Sequence, residues 1–441
     1  MTEIHPSLHT IVQDFCPNLT PYEEIYRDIH ANPELGRQEE RTSKICAQHL
    51  RSQGYAVQTH IGGYGLVGVL HNGPGPTVLL RADMDALPIK EATGLSYASK
   101  VQATDPYDGL FKPVMHACGH DMHIAALLAA STLLQSSKTH WTGTLIILFQ
   151  PDEEHGAGAQ RMLDWGLYTT PLIPYPDIVL GQHVTAAQTG TVLIRPGVFM
   201  ASADTLQITI HGQASHAAQP QDAIDPIVTS AFIITRLQTI VSREVAPADA
   251  VALSCTSIEA GSAHNIIPPS CTFTLNIRTF NPQVRDLVLA AVKRIIRSEA
   301  SASGATRDPE IEQLAKYPLT INYPSSTAKL SKVFTSYFGQ ERTLEAPVHT
   351  ASEDFSLLAS SIGVPSIFWN FGGSDEEAWR EHEEGRGEQL AMPHQAGFKP
   401  VIEPTLSTGI EAMSLAALTF LGPGGDKRSD GGAATGRVSK L

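Results

Sequence analysis

No run of apolar residues in this 441-residue chain approaches the roughly 18 that cross a bilayer as a helix. A helical membrane span is therefore not expected. The first residues, Met-Thr-Glu-Ile-His-Pro-Ser, have neither a basic start nor an apolar stretch behind it, so no secretory leader is predicted. Cysteine is scarce: Cys16, Cys46, Cys118, Cys255 and Cys271 are odd in number and widely spread. That pattern argues against a disulfide framework and for a reducing, intracellular compartment. Basic residues are outnumbered, 31 against 45 acidic, for a formal net charge of −14. The chain lacks the cationic footprint that binds nucleic acid or an anionic membrane, and neither is predicted as a partner. A small substrate is not constrained by this, because a local pocket can oppose the overall sign.

What remains is a globular composition, 42% apolar and 17% charged, in a chain long enough for two domains. The first 60 residues read as helices, at 11–15, 21–30 and 41–53 with a glycine stop at Gly54. Short apolar runs then alternate with helices. Residues 66–70, 77–82, 144–149 and 178–180 read as strands, and 124–135 is an Ala/Leu-rich helix. Such alternation predicts an α/β layered domain. From about Ser202 the texture changes to strand 205–211, helix 226–243, strands 251–259 and 272–279, helix 282–298 and a strand near 311–319. That β-α-β-β-α-β order describes a two-layer, ferredoxin-like α+β unit. Helices at 327–338 and 354–361 and a strand at 366–370 resume the first texture, so the smaller unit is read as an insertion. The predicted division is 1–201 and 321–421 for the larger domain, 202–320 for the insert, and 422–441 for a disordered tail.

The chemistry is concentrated in a few segments. His116-Ala-Cys-Gly-His-Asp-Met-His places Cys118 and His120 two residues apart, and thiolate and imidazole both bind transition metals well. Gln150-Pro-Asp-Glu-Glu-His supplies adjacent carboxylates at Glu153 and Glu154 directly after an apolar strand. Neighbouring side chains diverge, so one can ligate while the other faces the substrate water; this assigns Glu154 as ligand and Glu153 as general base. His183 and His394 carry little weight alone, as most histidines are structural. They gain it as the remaining imidazoles for one site. Asp83, Asp85, Glu153, Glu154 and His183 all follow predicted strands, and ligand sites of open α/β sheets lie beyond strand ends. The inventory is that of a metal-dependent hydrolase.

These segments resemble the M20 family of metallopeptidases and amidohydrolases, in its aminoacylase-like, hippurate hydrolase-like and indole-acetyl-amino-acid hydrolase branch. The resemblance rests on Arg81-Ala-Asp-Met-Asp-Ala-Leu-Pro, His116-Ala-Cys-Gly-His-Asp, Gln150-Pro-Asp-Glu-Glu and Gly181-Gln-His183. Gly212-Gln-Ala-Ser-His-Ala-Ala-Gln-Pro, Ala263-His-Asn-Ile-Ile-Pro, Asn276-Ile-Arg-Thr and Ser352-Glu-Asp-Phe extend it in family order. It implies a zinc-peptidase-like catalytic domain holding two divalent metals, with an inserted dimerisation or lid domain and a homodimer built through it. Cys118, His120, Glu154, His183 and His394 would be the ligands, Glu153 the base, and Asp85 a group orienting a ligand histidine. His216 would stabilise the oxyanion, reaching across from a partner subunit, and Asn265 and Arg278 would contact substrate.

Three features depart from the family pattern. Asp83 stands where peptidase-type relatives carry a metal histidine, which, with Cys118, marks the amidohydrolase branch. His394 is followed by Gln395-Ala396 instead of Ser-Pro, and an acidic segment, 374–389, precedes it as a solvated surface loop or, alternatively, a rim that selects against acidic substrates. The expected activity is hydrolysis of an N-acyl amino acid or related small amide. A dipeptidase and an enzyme hydrolysing or forming a secondary-metabolite amide are the alternatives. Softness favours Zn²⁺ at the thiolate and resemblance favours Mn²⁺, with Co²⁺ or Ni²⁺ also compatible. The final Ser439-Lys440-Leu441 reads as a peroxisomal address for the import receptor; without it the cytoplasm is expected.

Overall fold

A computed structural model describes residues 7–387 and 389–423, so the Ser-Lys-Leu address lies outside the described residues. The larger domain is built on a mixed sheet. Edge to edge it runs Ala56–Ile61, Gly65–Asn72, Trp141–Gln150, Thr77–Asp83, Ile178–Gln188, Ser366–Ser374, Val192–Ile194 and Thr343–Glu345. Gly422–Pro423 pairs beside Trp141–Gln150. The four middle strands are parallel. Their near-continuous apolar composition follows from burial on both faces.

Alternate residues of these strands enter separate cores, as the two-residue period of a strand requires. Leu145, Ile147 and Phe149 face one layer with the helices His120–Ser136 and Thr405–Phe420, whereas Ile146 and Leu148 face the other with Ala159, Met162 and Leu358. Both flanking helices of the first layer are apolar almost all round, because helices and sheet enclose them.

The smaller unit has strand order Val251–Ala260, Ser270–Thr279, Ser202–His211, Glu310–Tyr317, every pair antiparallel. Helices Pro226–Thr239 and Pro282–Ala302 cover one face over a core of Ile208, Ile233, Phe273 and Val292. Asp225 and Asn281 cap these helices, each accepting from two backbone amides at the start and each followed by proline.

The structure departs from the sequence reading in several places. Ala56–Ile61 is a strand; the turn Gly62-Gly63 after it hides its pairing with Gly65–Asn72 from a periodicity reading. Gly158–Trp165 and Thr405–Phe420 are helices that the sequence reading left unassigned. The predicted helix over 354–361 shrinks to Leu357–Ser360, since Glu353 and Asp354 turn inward to Arg81. The acidic segment is not simply loop: Asp375 caps a short helix, Glu376–Glu383, by accepting from the amides of Glu377 and Ala378.

Candidate metal centre

The site lies beyond the carboxyl ends of the parallel strands. Thr77–Asp83 delivers Asp83 and then Asp85, Trp141–Gln150 leads to Glu153 and Glu154, and Ile178–Gln188 carries His183. The segment 116–119 crosses above them and opens the helix His120–Ser136. Gly119 makes that entry, with φ of 82°. A Cβ there would lie 2.4 Å from Cγ1 of Val184, next to His183, so only glycine fits. His394 also has a left-handed backbone, φ 69°, and its N–H donates to the Ala117 carbonyl at 2.8 Å. That bond fastens the late loop to the Cys118 segment.

Cys118 is the hub. Its Sγ lies 3.3 Å from Nε2 of His183 and 3.2 Å from Nε2 of His394. Glu154 approaches His394 Nε2 at 3.3 Å and His120 Nε2 at 3.8 Å. Two overlapping triads result, Cys118–His120–His183 and Cys118–Glu154–His394, sharing the sulfur. All five predicted ligands therefore meet, although Cys118 and His394 stand 276 residues apart.

The ring nitrogens are set for coordination. Nδ1 of His120 lies 2.8 Å from the Asp85 carbonyl, and Nδ1 of His183 lies 2.6 Å from the Val184 carbonyl. A carbonyl only accepts, so each Nδ1 carries the proton and each Nε2 offers a lone pair to the centre. Asp85 does more than bind His120, since its Oδ2 accepts from the Glu154 amide at 3.0 Å. His120 Nε2 and Glu154 Oε1 are both buried without a hydrogen-bond partner. Unsatisfied buried polar atoms are costly, and a divalent cation between them is the group that this donor set fits.

The electrostatics point the same way. Burial, with Glu353, Glu154 and Asp354 nearby, pushes the Glu153 carboxyl well above its usual range. Burial lifts Glu154 to about 8 despite the opposing His120. Burial alone would lower His120, but Asp83, Asp85 and Glu154 outweigh it and raise it to about 10. Burial and the two glutamates drive the Cys118 thiol up. Such crowded acids ionise together only with added positive charge, which two dications would supply.

A cavity of about 580 Å³ opens onto the centre, and Cys118, Glu153, Glu154, His183 and His394 all line it. Arg278 lines it too, as do Thr185, Met200, Tyr317, His349 and Asn370. Arg278 reaches it from Ser270–Thr279 of the smaller unit, where Nη1 donates to the Thr350 carbonyl at 3.2 Å and to Ser352 Oγ at 2.8 Å. His216 and Asn265 are elsewhere. Both are exposed, outside the cavity lining, and adjacent to each other: the Ala217 N–H donates to the Asn265 carbonyl at 2.9 Å.

Sequence reasoning missed the support beneath the centre. Arg81, fully buried, donates to Asp83 at 2.6 Å, Glu353 at 2.9 Å and Gln150 at 2.9 Å. His123 bonds Asp83 through Nδ1 at 2.6 Å and accepts the Val184 amide at 2.8 Å through Nε2. An arginine inside an otherwise apolar strand was the available signal.

The sequence profile of peptidase family M20/M25/M40 matches residues 79–391. The chain belongs to peptidase family M20. A hippurate hydrolase of Campylobacter jejuni is 36% identical over 341 residues, covering 76% of this chain and 84% of that protein. An N-acetyl-L-cysteine deacetylase of Bacillus subtilis is 32% identical over 357 residues, covering 80% and 81%. Among solved structures, the Bacillus subtilis YXEP protein, described as a dinuclear metal-binding peptidase of the M20 family, superposes with a TM-score of 0.71 at 27% identity. That match covers 92% of this chain and 98% of YXEP. This M20 chain is thus an enzyme of the metal-dependent amidohydrolase and peptidase class, with the mixed α/β fold of that family.

Proposed function

We propose that this M20 enzyme hydrolyses N-acyl amino acids, holding two divalent ions, Mn²⁺ or Zn²⁺, on Cys118, His120, Glu154, His183 and His394. The observation that carries this reading is an uncommitted cation in the lining of the cavity. Arg278 has no carboxylate partner among the described residues and suits the carboxylate of an amino-acid leaving group. The lining carboxylates are Glu153, Glu154 and Glu353, the last bound to Arg81. None is left to receive the free ammonium of a dipeptide, so an acylated nitrogen is favoured over the dipeptidase alternative. The named substrates of the hippurate hydrolase and the N-acetyl-L-cysteine deacetylase, both N-acyl amino acids, support the same class.

Divalent ions held by those five residues would supply Lewis acidity at the amide carbonyl and a water of lowered pKa. Glu153 takes the proton of the attacking water and returns it to the departing amine. Arg278 holds the carboxylate and so fixes the scissile bond over the ligands. The partner subunit's His216 donates to the developing oxyanion, and the partner's Asn265, held next to it, contacts the substrate.

A dimer through the inserted unit supports that last assignment. Helix Pro226–Thr239 turns Ile227, Val228 and Phe232 outward, 42%, 50% and 60% exposed, and Val251–Ala260 is a sheet edge. Such an apolar face beside a free edge suits a second copy. Phe232→Glu is expected to give monomers by sedimentation analysis with hydrolysis lost; a fully active monomer would overturn the cross-subunit assignment. We propose import into peroxisomes through Ser439-Lys440-Leu441, and an N-terminally fluorescent chain ending at residue 438 is then expected to stay cytoplasmic.

The central test is metal-stripped enzyme re-supplied with Mn²⁺ or Zn²⁺ and offered N-acetyl and N-benzoyl amino acids beside dipeptides. Metal-dependent release of the free amino acid from the acyl substrates is expected. Turnover confined to dipeptides would overturn the reading.

A further inference from the structure

Asp152 opens the turn that carries Glu153 and Glu154, and its backbone is left-handed, with φ of 53°. A non-glycine residue holds that conformation only where its surroundings over-determine it. Here they do so from three separate segments. The Tyr107 hydroxyl lies 2.8 Å and 2.6 Å from the two carboxylate oxygens of Asp152, and Nη1 of Arg161 donates at 2.6 Å. His155 Nδ1 is 3.2 Å away, and the Asp152 amide donates to buried Glu39 at 2.8 Å. Gly36 packs so closely that a Cβ there would sit 2.3 Å from Asp152 Oδ1.

Tyr107 is itself held. Its ring stacks on His155 at 3.5 Å and 8°, and the Arg37 guanidinium sits 4.5 Å from the ring centroid. It comes from the tip of a hairpin formed by Gln102–Thr104 and Phe111–Pro113, which leaves Leu110 and Phe111 largely exposed. Neither Tyr107 nor Asp152 lines the metal cavity. Their bonds end on the turn, one residue before Glu153.

Glu153 needs such a fixture. Its carboxylate shares its surroundings with Glu353 and Asp354, within 4.8 Å of one another, and Glu154 follows it directly. Like charges push a flexible carboxylate out of such a group, whereas proton transfer requires it to stay within hydrogen-bond reach of the water.

We propose that Tyr107 and Asp152 are positioning residues, a clamp that fixes the direction of Glu153 from outside the cavity. The proposal rests on the reading of Glu153 as the general base. Tyr107→Phe keeps the stack and removes only the hydroxyl. In the metal-loaded full chain it is expected to lower kcat on an N-acyl amino acid on the order of tenfold, since small misplacements are costly to catalysis. KM and bound metal stay at wild-type values, and the loss in kcat is read well below Tm, which the missing hydrogen bond lowers only modestly. Asp152→Asn, which keeps an acceptor and tolerates a left-handed backbone, is expected to retain most of kcat. Asp152→Ala loses it, and adding Tyr107→Phe to Asp152→Ala costs nothing more, because both act through one contact. Full kcat in Tyr107→Phe, or a loss that tracks lost metal or unfolding at the assay temperature, would overturn the clamp. Glu153→Gln run in parallel separates the two ideas. An active Glu153→Gln overturns the base assignment and the clamp with it, whereas an inactive one beside a fully active Tyr107→Phe overturns the clamp alone.

Discussion

Arg278→Ala tests the substrate assignment most directly. The guanidinium is anchored on one side, with Nε to Asn276 Oδ1 at 3.0 Å and Nη1 to Thr350 and Ser352, leaving Nη2 without a protein partner among the described residues. It is half-buried, and burial lowers its pKa from the ordinary value while leaving it a cation. A carboxylate meeting it gains a charge-assisted hydrogen bond of about 1.5–3 kcal/mol. The bare Coulomb attraction at 4 Å is about 4 kcal/mol at an effective dielectric of 20, and desolvation offsets part of it. A net 2–3 kcal/mol corresponds to roughly 30- to 150-fold in kcat/KM, at about 1.4 kcal/mol per factor of ten. The carboxylate is remote from the bond that breaks, so the loss falls mainly on KM. The assay compares an N-acetyl amino acid with its C-terminal carboxamide in both enzymes. Wild type is expected to prefer the free acid by the factor above, and Arg278→Ala to treat the two nearly alike. Ser352→Ala, which loosens the anchor and keeps the charge, should fall between them. If Arg278→Ala keeps its KM and still prefers the acid, the carboxylate binds elsewhere and the orientation of substrate in the cavity must be reversed.

Glu153→Gln should cost on the order of 10²–10⁴ in kcat while both metals remain bound, measured by steady-state kinetics and elemental analysis. Above about pH 6.5, where the histidines lowered by burial no longer contribute a slope, metal-free protein should lose stability as pH rises. Folding raises Glu154 from 4.5 to about 8 and His120 from 6.5 to about 10, so the folded state keeps protons that the unfolded chain has released. That stability is present below the unfolded values and is lost progressively between about pH 4.5 and 10. Metal binds the deprotonated ligands, so the Tm gap between metal-loaded and chelator-treated enzyme should widen across this window. A constant gap would refute the shifts. Gly119→Ala combines a left-handed backbone with a 2.4 Å approach to Val184 and should cost about 2–4 kcal/mol by denaturant titration, with weaker metal binding.

Cys118, His120 and the paired glutamates stood out in sequence because their types are unusual where they occur, and His183 and His394 gained weight only beside them. Cys118 and His120 sit two apart before an apolar helix, and paired glutamates end a buried strand. Strands such as Trp141–Gln150 were legible because burial on both faces leaves an unbroken apolar run, Leu145 to Phe149. The ladder Ser202–His211 with Ser270–Thr279 was legible for the opposite reason, since one face is half-buried and alternates. The supports were not legible. Arg81 with Glu353, and Tyr107 with Asp152, pair across 272 and 45 residues, and no local period encodes such a meeting. Ala56–Ile61, at the sheet edge, was lost because its pattern is mixed and its pairing is set by the turn that follows. The helix Glu376–Glu383 was masked by its solvated, charged composition, although its capping aspartate was in view.

The sulfur of Cys118 and the imidazole of His394 meet across 276 residues, and the Arg81 hub is completed only by Glu353. During translation the ribosome therefore releases Cys118, His120, Glu154 and His183 long before their last companion. A nascent chain can close the inserted unit and much of the sheet first, since domains fold as units while synthesis proceeds. The complete five-residue ligand set must wait for the loop near residue 394. Products of premature termination before residue 394 would then emerge folded in part, without the last member of the proposed ligand set and without the core helix Thr405–Phe420 that follows it.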